Sequence, residues 1–439
     1  MTIQIFGEGL DALIFACHLV DKEIDFQWSI NNNRLGGYFA GSLNCEGEPI
    51  DLGMVLLEPN TYHAKQLSLD DYQGEFGHRA RPFLSESYES IRVTLGDCSS
   101  VEMVSQRSNL EPLPDYFISD RMDAFETLPM IARRELRERI ELLEGEPSWH
   151  PSCKSDSRGP LVSTGIDDYL KKIYGETFYR EYFEGYLTSF LGELVNHLPA
   201  NLHRRAWIPL FWPETIYEYI ENPNKGQDLF LPIFQKPGQG SIARWVKSMR
   251  DTVMELSQGR VVTRPEAHSE SLNIDNSRND FYFVNRNTLL GVNPKGEKID
   301  HLLIVSIRMV HYCADIESNQ VVFLINSKHG CFRYSTEVTT SQTRGGVTLE
   351  FGQNTSKFSE QEILSSALQM CLELGIHVLC QGKVFNGKLP IETRDDHSVD
   401  HLDNSIENYQ TLHSSKSSSL NDNIIRGSWA INSLKELEI

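Results

Sequence analysis

The chain has 439 residues, enough for two or three domains or for two interleaved ones, and its 40% hydrophobic content, with 21 Phe, 16 Tyr and 6 Trp, supports a substantial core. A formal charge of −20, from 41 basic against 61 acidic residues, argues against nucleic acid or an anionic membrane surface as the main partner, while leaving room for a local basic pocket. Eight cysteines (Cys17, Cys45, Cys98, Cys153, Cys313, Cys331, Cys371 and Cys380) are scattered without a C-x-x-C pair, which reads as reduced thiols in a cytoplasmic protein, neither a disulfide framework nor a zinc site.

A strand begins almost at once, so no signal peptide is expected, and no apolar run approaches the ~18 residues of a membrane span. Strands are predicted over 2–6 and 25–30, with a helix over 10–20 between them. The junction reads Ile3-Gln4-Ile5-Phe6-Gly7-Glu8-Gly9-Leu10-Asp11-Ala12-Leu13, the layout of a dinucleotide-binding βαβ unit. Gly7 would allow the tight turn, Gly9 would let backbone approach a pyrophosphate, and Ala12 would permit close helix–strand packing. N–H groups at the helix start would hold the phosphates, helped by the helix dipole. Glu8 sets a carboxylate close by, whereas Asp11 suits a helix N-terminus electrostatically. The alternative is an ordinary βα turn that binds nothing.

A loop follows over 31–38 and a short segment over 49–55. Residues 61–160 read as mixed, charged and mostly helical or irregular, with an amphipathic helix over 129–144 that stops at Gly145. Aromatics then recur at helical spacing at Tyr169, Tyr174, Phe178, Tyr179, Tyr182, Phe183, Tyr186 and Phe190. This stripe is either plain core, the favoured reading, or the lining of an apolar cavity. A helix is predicted over 241–257 and strands over 260–263, 280–285, 300–306, 320–326, 331–335 and 346–351. A helix over 359–374, a strand over 376–380, a polar stretch over 392–422 and a last helix over 423–437 close the chain.

The order of motifs carries a resemblance. After the first glycines come Arg34-Leu35-Gly36-Gly37, Asp51-Leu52-Gly53, Pro237-Gly238-Gln239-Gly240-Ser241-Ile242 opening a helix, Asp300-His301-Leu302-Leu303-Ile304-Val305, Cys331-Phe332-Arg333-Tyr334 with Gly346-Val347-Thr348-Leu349-Glu350, and Leu420-Asn421-Asp422 through Trp429-Ala430. This series resembles the flavin-dependent superfamily that includes amine oxidases, protoporphyrinogen oxidase, phytoene desaturase and UDP-galactopyranose mutase. The resemblance touches both ends and the middle, while residues 60–230 match only in general character.

It implies an α/β fold: a discontinuous Rossmann-like FAD-binding domain (1–60, 232–310 and 375–439) with an inserted α+β substrate domain (61–231 and 311–374). It also implies FAD as cofactor, a small-molecule substrate and hydride transfer from that substrate to flavin. By the same resemblance, Gly7, Gly9 and Ala12 would hold the FAD pyrophosphate. Arg34, Gly36 and Gly37 would wrap its phosphate and ribityl region, and Gly53 would lie close to the isoalloxazine. Asn421 and Asp422 would start a helix whose N–H groups face the ring and stabilise negative charge on it. The sequence departs from the family where the second strand ends in Trp28-Ser29-Ile30-Asn31, without the acid that binds the adenosine ribose. His413-Ser414-Ser415-Lys416 stands near the place of an expected glycine-arginine pair.

The flavin would do the hard chemistry, so no catalytic triad is expected. Arg333 is the catalytic candidate, because mutase-like relatives place an arginine there facing ligand phosphate and a guanidinium suits bidentate contacts. Its plain alternative is a salt-bridged surface arginine. Arg344 is either a helper or a turn residue. His397 and His401 have helical metal-ligand spacing but sit in a polar, loop-like stretch, and no metal is expected there. Cys45 and Cys98, with no nearby histidine, read as inert. Two other functions remain open beside the oxidoreductase: a redox-neutral mutase-like enzyme acting on a nucleotide sugar, and a non-catalytic relative that has lost the flavin.

Overall fold

A computed structural model of the chain describes residues 3–30, 35–53, 55–56, 98–107, 129–146, 164–198, 200, 213, 217, 221, 235–237, 241–257, 261–263, 281–284, 302–325, 327, 329–338, 345–392 and 427. Its main described elements are β1 (Ile3–Phe6), α1 (Leu10–Asp21), β2 (Phe26–Ile30), β3 (Ser42–Leu43), β4 (Pro49–Ile50), β5 (Cys98–Ser100), β6 (Glu102–Arg107), α2 (Met130–Gly145), α3 (Ile166–Tyr174), α4 (Glu184–Leu191) and β7 (Gln235–Pro237). They continue as α5 (Ile242–Leu256), β8 (Val261–Thr263), β9 (Phe281–Val284), β10 (Leu302–Ala314), β11 (Gln320–Ile325), β12 (Cys331–Val338), β13 (Gly345–Phe351), α6 (Glu360–Glu373) and β14 (Lys383–Glu392). No described helix is long and apolar enough to cross a membrane.

Among the described residues, one layer is a parallel sheet in the order β8-β2-β1-β9. Helix α1 is buried at Leu10 through Ala16 and again at Leu19, more than the single stripe of a surface helix. The reason is that it is covered on several sides. Leu13, Ala16 and Leu19 share one core with Ile5, Trp28 and Ile30 of the sheet and with Trp245, Val246, Met249 and Val253 of α5. Gly427 lies against it too: a methyl group there would stand 2.7 Å from Ile14 Cβ.

Helix α5 begins where the sequence puts it, and two side chains explain why. The Ser241 hydroxyl accepts the Arg244 N–H at 3.2 Å. The buried Asp51 carboxylate accepts the N–H groups of Ile242 at 3.2 Å and Ala243 at 2.8 Å. Donors left over at a helix start are thereby satisfied, and negative charge sits at the positive end of the helix.

The second layer is a sheet in the order β14-β10-β13-β12-β11-β6, antiparallel throughout except where β11 meets β6. One face packs on α6, through Val310, Tyr312, Ala314, Tyr334, Val347, Leu349 and Phe351 against Ile363, Ala367, Met370 and Cys371. Strand side chains alternate, so Met309, His311, Cys313, Arg333, Ser335, Thr348 and Glu350 share the other face. A Ser359/Glu362 capping box starts α6.

The predicted elements and the structure differ in several places, among them the unpredicted pairs β3–β4 and β5–β7. Strand 300–306 extends to Ala314 and pairs with β13 and β14, so 302–310 and 383–392 lie in the second sheet and not in the parallel one with which the sequence grouped them. Residues 376–380 make only an isolated bridge, Val378 to Ala314. Within 61–160, read as helical or irregular, β6 is a strand paired in parallel with β11. The segments 392–422 and 423–437 lie outside the described residues, apart from Glu392 and Gly427.

Candidate functional site

The β1–α1 junction has the conformation a phosphate-binding turn requires. Gly7 has φ +106°, a left-handed value that favours glycine, and the Trp28 indole N–H donates to its carbonyl at 2.8 Å. Gly9 caps α1 with backbone alone. Ala12 is fully buried against the sheet, and its N–H donates to Asp11 Oδ1 at 2.9 Å. The buried Asp11 carboxylate therefore takes one donor of the first turn.

The second glycine pair lies directly over this turn. Gly36 donates its N–H to the Glu8 carbonyl at 2.8 Å and bridges to Gly9. A methyl group on Gly37 would stand 3.7 Å from both Glu8 O and Gly9 Cα. Two stretches nearly thirty residues apart in sequence thus share one backbone surface, as close approach to a ligand needs.

From Gly37 the chain leads to the sheet. Tyr38 is half-exposed, and its hydroxyl donates to the Leu52 carbonyl. Gly53 has φ +78°, and a methyl group on it would stand 3.1 Å from Glu350 Oε2 and 3.2 Å from the Tyr38 hydroxyl. Asp51, on the same short segment, is tied to α5 as described above. Gly53 is therefore pressed between an anchored helix start and the second sheet.

Arg333 and Glu350 form the floor beneath it. Arg333 Nε donates to Glu350 Oε1 at 2.9 Å and Nη2 to Oε2 at 2.7 Å, with the side chains 3% and 2% exposed. A register shift between Cys331 and Arg333 sets Arg333 directly opposite Glu350. A bulge of this kind re-aims a side chain. The guanidinium also lies 5.3 Å from the Phe332 ring and 5.9 Å from the Phe323 ring. Burial works against its charge, and the Glu350 carboxylate together with Tyr186 and Tyr38 outweighs burial, so the Arg333 pKa is pushed up. Behind the pair, Tyr186 is fully buried against Phe323 and Phe332, and Phe190 stacks on Phe332 at 4.4 Å. The aromatic stripe is thus core at its described side chains, and burial pushes the Tyr186 phenol up.

The structure therefore brings Gly7, Gly9, Ala12, Gly36 and Gly37 into one turn, and Gly53 and Arg333 into a second group, with Tyr38 joining the two. Arg333 is neither a surface arginine nor an open ligand contact, because two of its nitrogens are committed to a buried carboxylate. Arg34, Arg344, His397, His401, Asn421 and Asp422 lie outside the described residues.

Tyr38, Glu350 and His311 were not singled out from sequence. His311 is buried on the same sheet face, its Nδ1 3.1 Å from Thr348 Oγ1. A methyl group on Gly346, across the strand pair, would stand 2.5 Å from His311 Cε1. The glycine makes room for the ring. The available signal was alternation in β13, where Thr348 and Glu350 stand two apart among apolar residues, whereas His311 is a lone polar residue in the apolar end of β10.

No family model matches the sequence, and no curated protein is significantly similar to it. Solved structures match it over essentially its whole length. A putrescine oxidase variant with redesigned cofactor binding is 11% identical with a TM-score of 0.59, and 100% of both chains is covered. A reduced UDP-galactopyranose mutase is 13% identical with a TM-score of 0.57, over 99% of this chain and 96% of that one. Cyclohexylamine oxidase from Brevibacterium oxydans is 11% identical with a TM-score of 0.57, over 100% and 99%. The chain has the fold that these amine oxidases and the mutase share.

Proposed function

We propose that this chain is an FAD-dependent oxidoreductase of the amine-oxidase-like superfamily that takes hydride from a small-molecule substrate. The observation that carries the reading is the continuous path from Gly9 through Gly37, Tyr38 and Gly53 to Glu350 and Arg333. It joins a glycine-capped helix start to a buried charged floor on a second sheet.

The residues present fit the cofactor at the first turn. Gly7, Gly9 and Ala12 offer a backbone surface with little side chain, and the first-turn N–H groups of α1 other than that of Ala12, which Asp11 takes, would hold the pyrophosphate. Arg34, Gly36 and Gly37 would wrap the next part of the molecule. Gly53 would stand beside the ring system, with Asn421 and Asp422 opening a helix toward it. When bound, FAD supplies the electron-accepting centre. The protein's part is to orient the substrate, exclude water and set the local field. Arg333 and Glu350 together add little net charge, which suits a neutral or weakly charged reacting group. Their pairing also favours the oxidoreductase over a nucleotide-sugar mutase, since Arg333 is already bound to a carboxylate where the mutase-like role needs it turned to phosphate.

The corresponding architecture is a discontinuous Rossmann-like unit with an inserted α+β substrate unit. The boundaries are redrawn so that 302–314 and 383–392 belong to the substrate sheet. The FAD-loaded protein is to be mixed anaerobically with a panel of primary and secondary amines and watched for bleaching. Substrate-dependent bleaching that oxygen reverses is expected. A nucleotide sugar rearranged without net bleaching replaces this reading with the mutase one, and a chain that takes up no FAD replaces it with a non-catalytic relative.

A further inference from the structure

At the far end of the same sheet face, three cysteines meet that the reaction does not use. The sulfurs of Cys45, Cys313 and Cys380 all lie within 4.8 Å of one another, with Cys45 and Cys313 at 3.4 Å. They come from three separate segments. Cys45 sits in the turn between β3 and β4, Cys313 near the end of β10, and Cys380 just after the bridge at Val378.

Each segment is held by its backbone. Asn44 Oδ1 accepts the N–H groups of Glu46 and Glu48, both at 2.9 Å, which fixes the turn that carries Cys45. Lys383 Nζ donates to the Leu43 carbonyl at 2.9 Å, tying that turn to β14. The Leu379 N–H donates to the Cys313 carbonyl at 2.8 Å, and the Cys313 N–H donates to Cys380 Sγ at 3.0 Å. The sulfurs converge because three backbones are pinned, and Cys45 is exposed at the mouth of the cluster.

We propose that Cys45, Cys313 and Cys380 form a three-thiolate site for a soft metal ion, Zn(II) or Cu(I). Sulfurs bound at about 2.3 Å around one ion stand roughly 3.8–4.0 Å apart, close to the arrangement here, where Cys45 and Cys313 are 3.4 Å apart and all three sulfurs lie within 4.8 Å. An all-sulfur donor set selects copper(I) or zinc over harder ions. Burial pushes the Cys313 and Cys380 thiols up and the Cys45 sulfur adds to it at each, although the Cys313 N–H bond to Cys380 Sγ works the other way. A bound cation offsets both effects, and its binding releases protons. Such an ion staples the β3–β4 turn to β10 and so fixes the Asp51–Gly53 segment, which follows β4, against the second sheet. The site does not depend on the flavin reading.

The fully reduced full-length chain is to be loaded with one equivalent of Zn(II), or of Cu(I) under anaerobic conditions, and desalted. Bound metal is then measured by elemental analysis and affinity by competition with a chromophoric chelator. About one equivalent of at least one ion is expected to stay with the protein and to raise its melting temperature. Cys45→Ser, an exposed position that spares the core, is expected to weaken binding about tenfold or more, since even partners outside the ligand set are worth that much. Cys17→Ala, outside the cluster, is expected to leave binding unchanged. Loss of both ions on desalting overturns the proposal. So does metal retention that Cys45→Ser leaves unaltered.

Discussion

At the level of single residues, Arg333, Glu350 and Gly53 meet at the junction of the two sheets. A buried ion pair is weak evidence of stability, because desolvation offsets most of the attraction, yet removing one partner leaves an uncompensated charge. Glu350→Gln and Arg333→Met are each expected to destabilise the fold by about 3–5 kcal/mol in denaturant unfolding. The double variant is expected to recover a large part of that loss, and additive losses would show that the two residues do not act as a pair. Gly53→Ala forces a side chain into a left-handed conformation 3.1 Å from Glu350 Oε2. FAD affinity or turnover is expected to fall at least tenfold, and wild-type behaviour would remove Gly53 from the site. The sequence pointed to Gly53 and Arg333 but not to what they touch. Glu350 is 17 residues from Arg333, and only a register shift in β12 sets the two opposite each other. The thiol cluster was still less legible. Its members are separated by 268 and 67 residues, so no spacing motif links them, and Cys45 by itself read as inert.

At the level of elements, the helices and the strands of the parallel sheet were read well and the edge strands of the second sheet poorly, for a physical reason. Helix α1 is bounded by Gly9, and α6 by its capping box and Gly375, chemistry that is local and visible in sequence. Among the described residues, strands β6 and β14 form the two edges of the second sheet. Edge strands carry polar residues, glycine and proline as protection from further pairing, and here Gln106, Gly387 and Pro390 do so. That composition hides a strand from a reading based on hydrophobic periodicity. Asp51 shows the converse, a side chain 191 residues from the helix it caps. Asp51→Ala removes two charge-assisted hydrogen bonds at the start of α5 and is expected to cost about 2–3 kcal/mol. Asp51→Asn is expected to cost less, and an unchanged denaturation midpoint in Asp51→Ala would show that the cap contributes nothing.

At the scale of the whole molecule, buried acids set a limit on alkaline stability. Burial pushes Cys17 and Cys371 from 9.0 up to about 12. Unfolding frees these thiols to ionise at their ordinary value, so the unfolded chain loses protons first as pH rises. The stability they confer is complete below about pH 9 and is lost as pH rises toward 12, by up to about 1.4 kcal/mol per pH unit for each group. Denaturation curves between pH 8.5 and about 11 are expected to show this slope, and Cys17→Ala to reduce it. A slope that the variant leaves unchanged would assign the alkaline loss to other groups.

At the two-sheet junction a glycine-lined turn, the Gly53 segment and a buried charged pair lie on one continuous path, the one proposed to take FAD. Incubating the purified chain with FAD, desalting it and recording the visible spectrum tests this most directly. About one equivalent of flavin is expected to elute with the protein, with bands near ~450 nm. A colourless protein after the same treatment, with its fold intact by circular dichroism, would contradict the account.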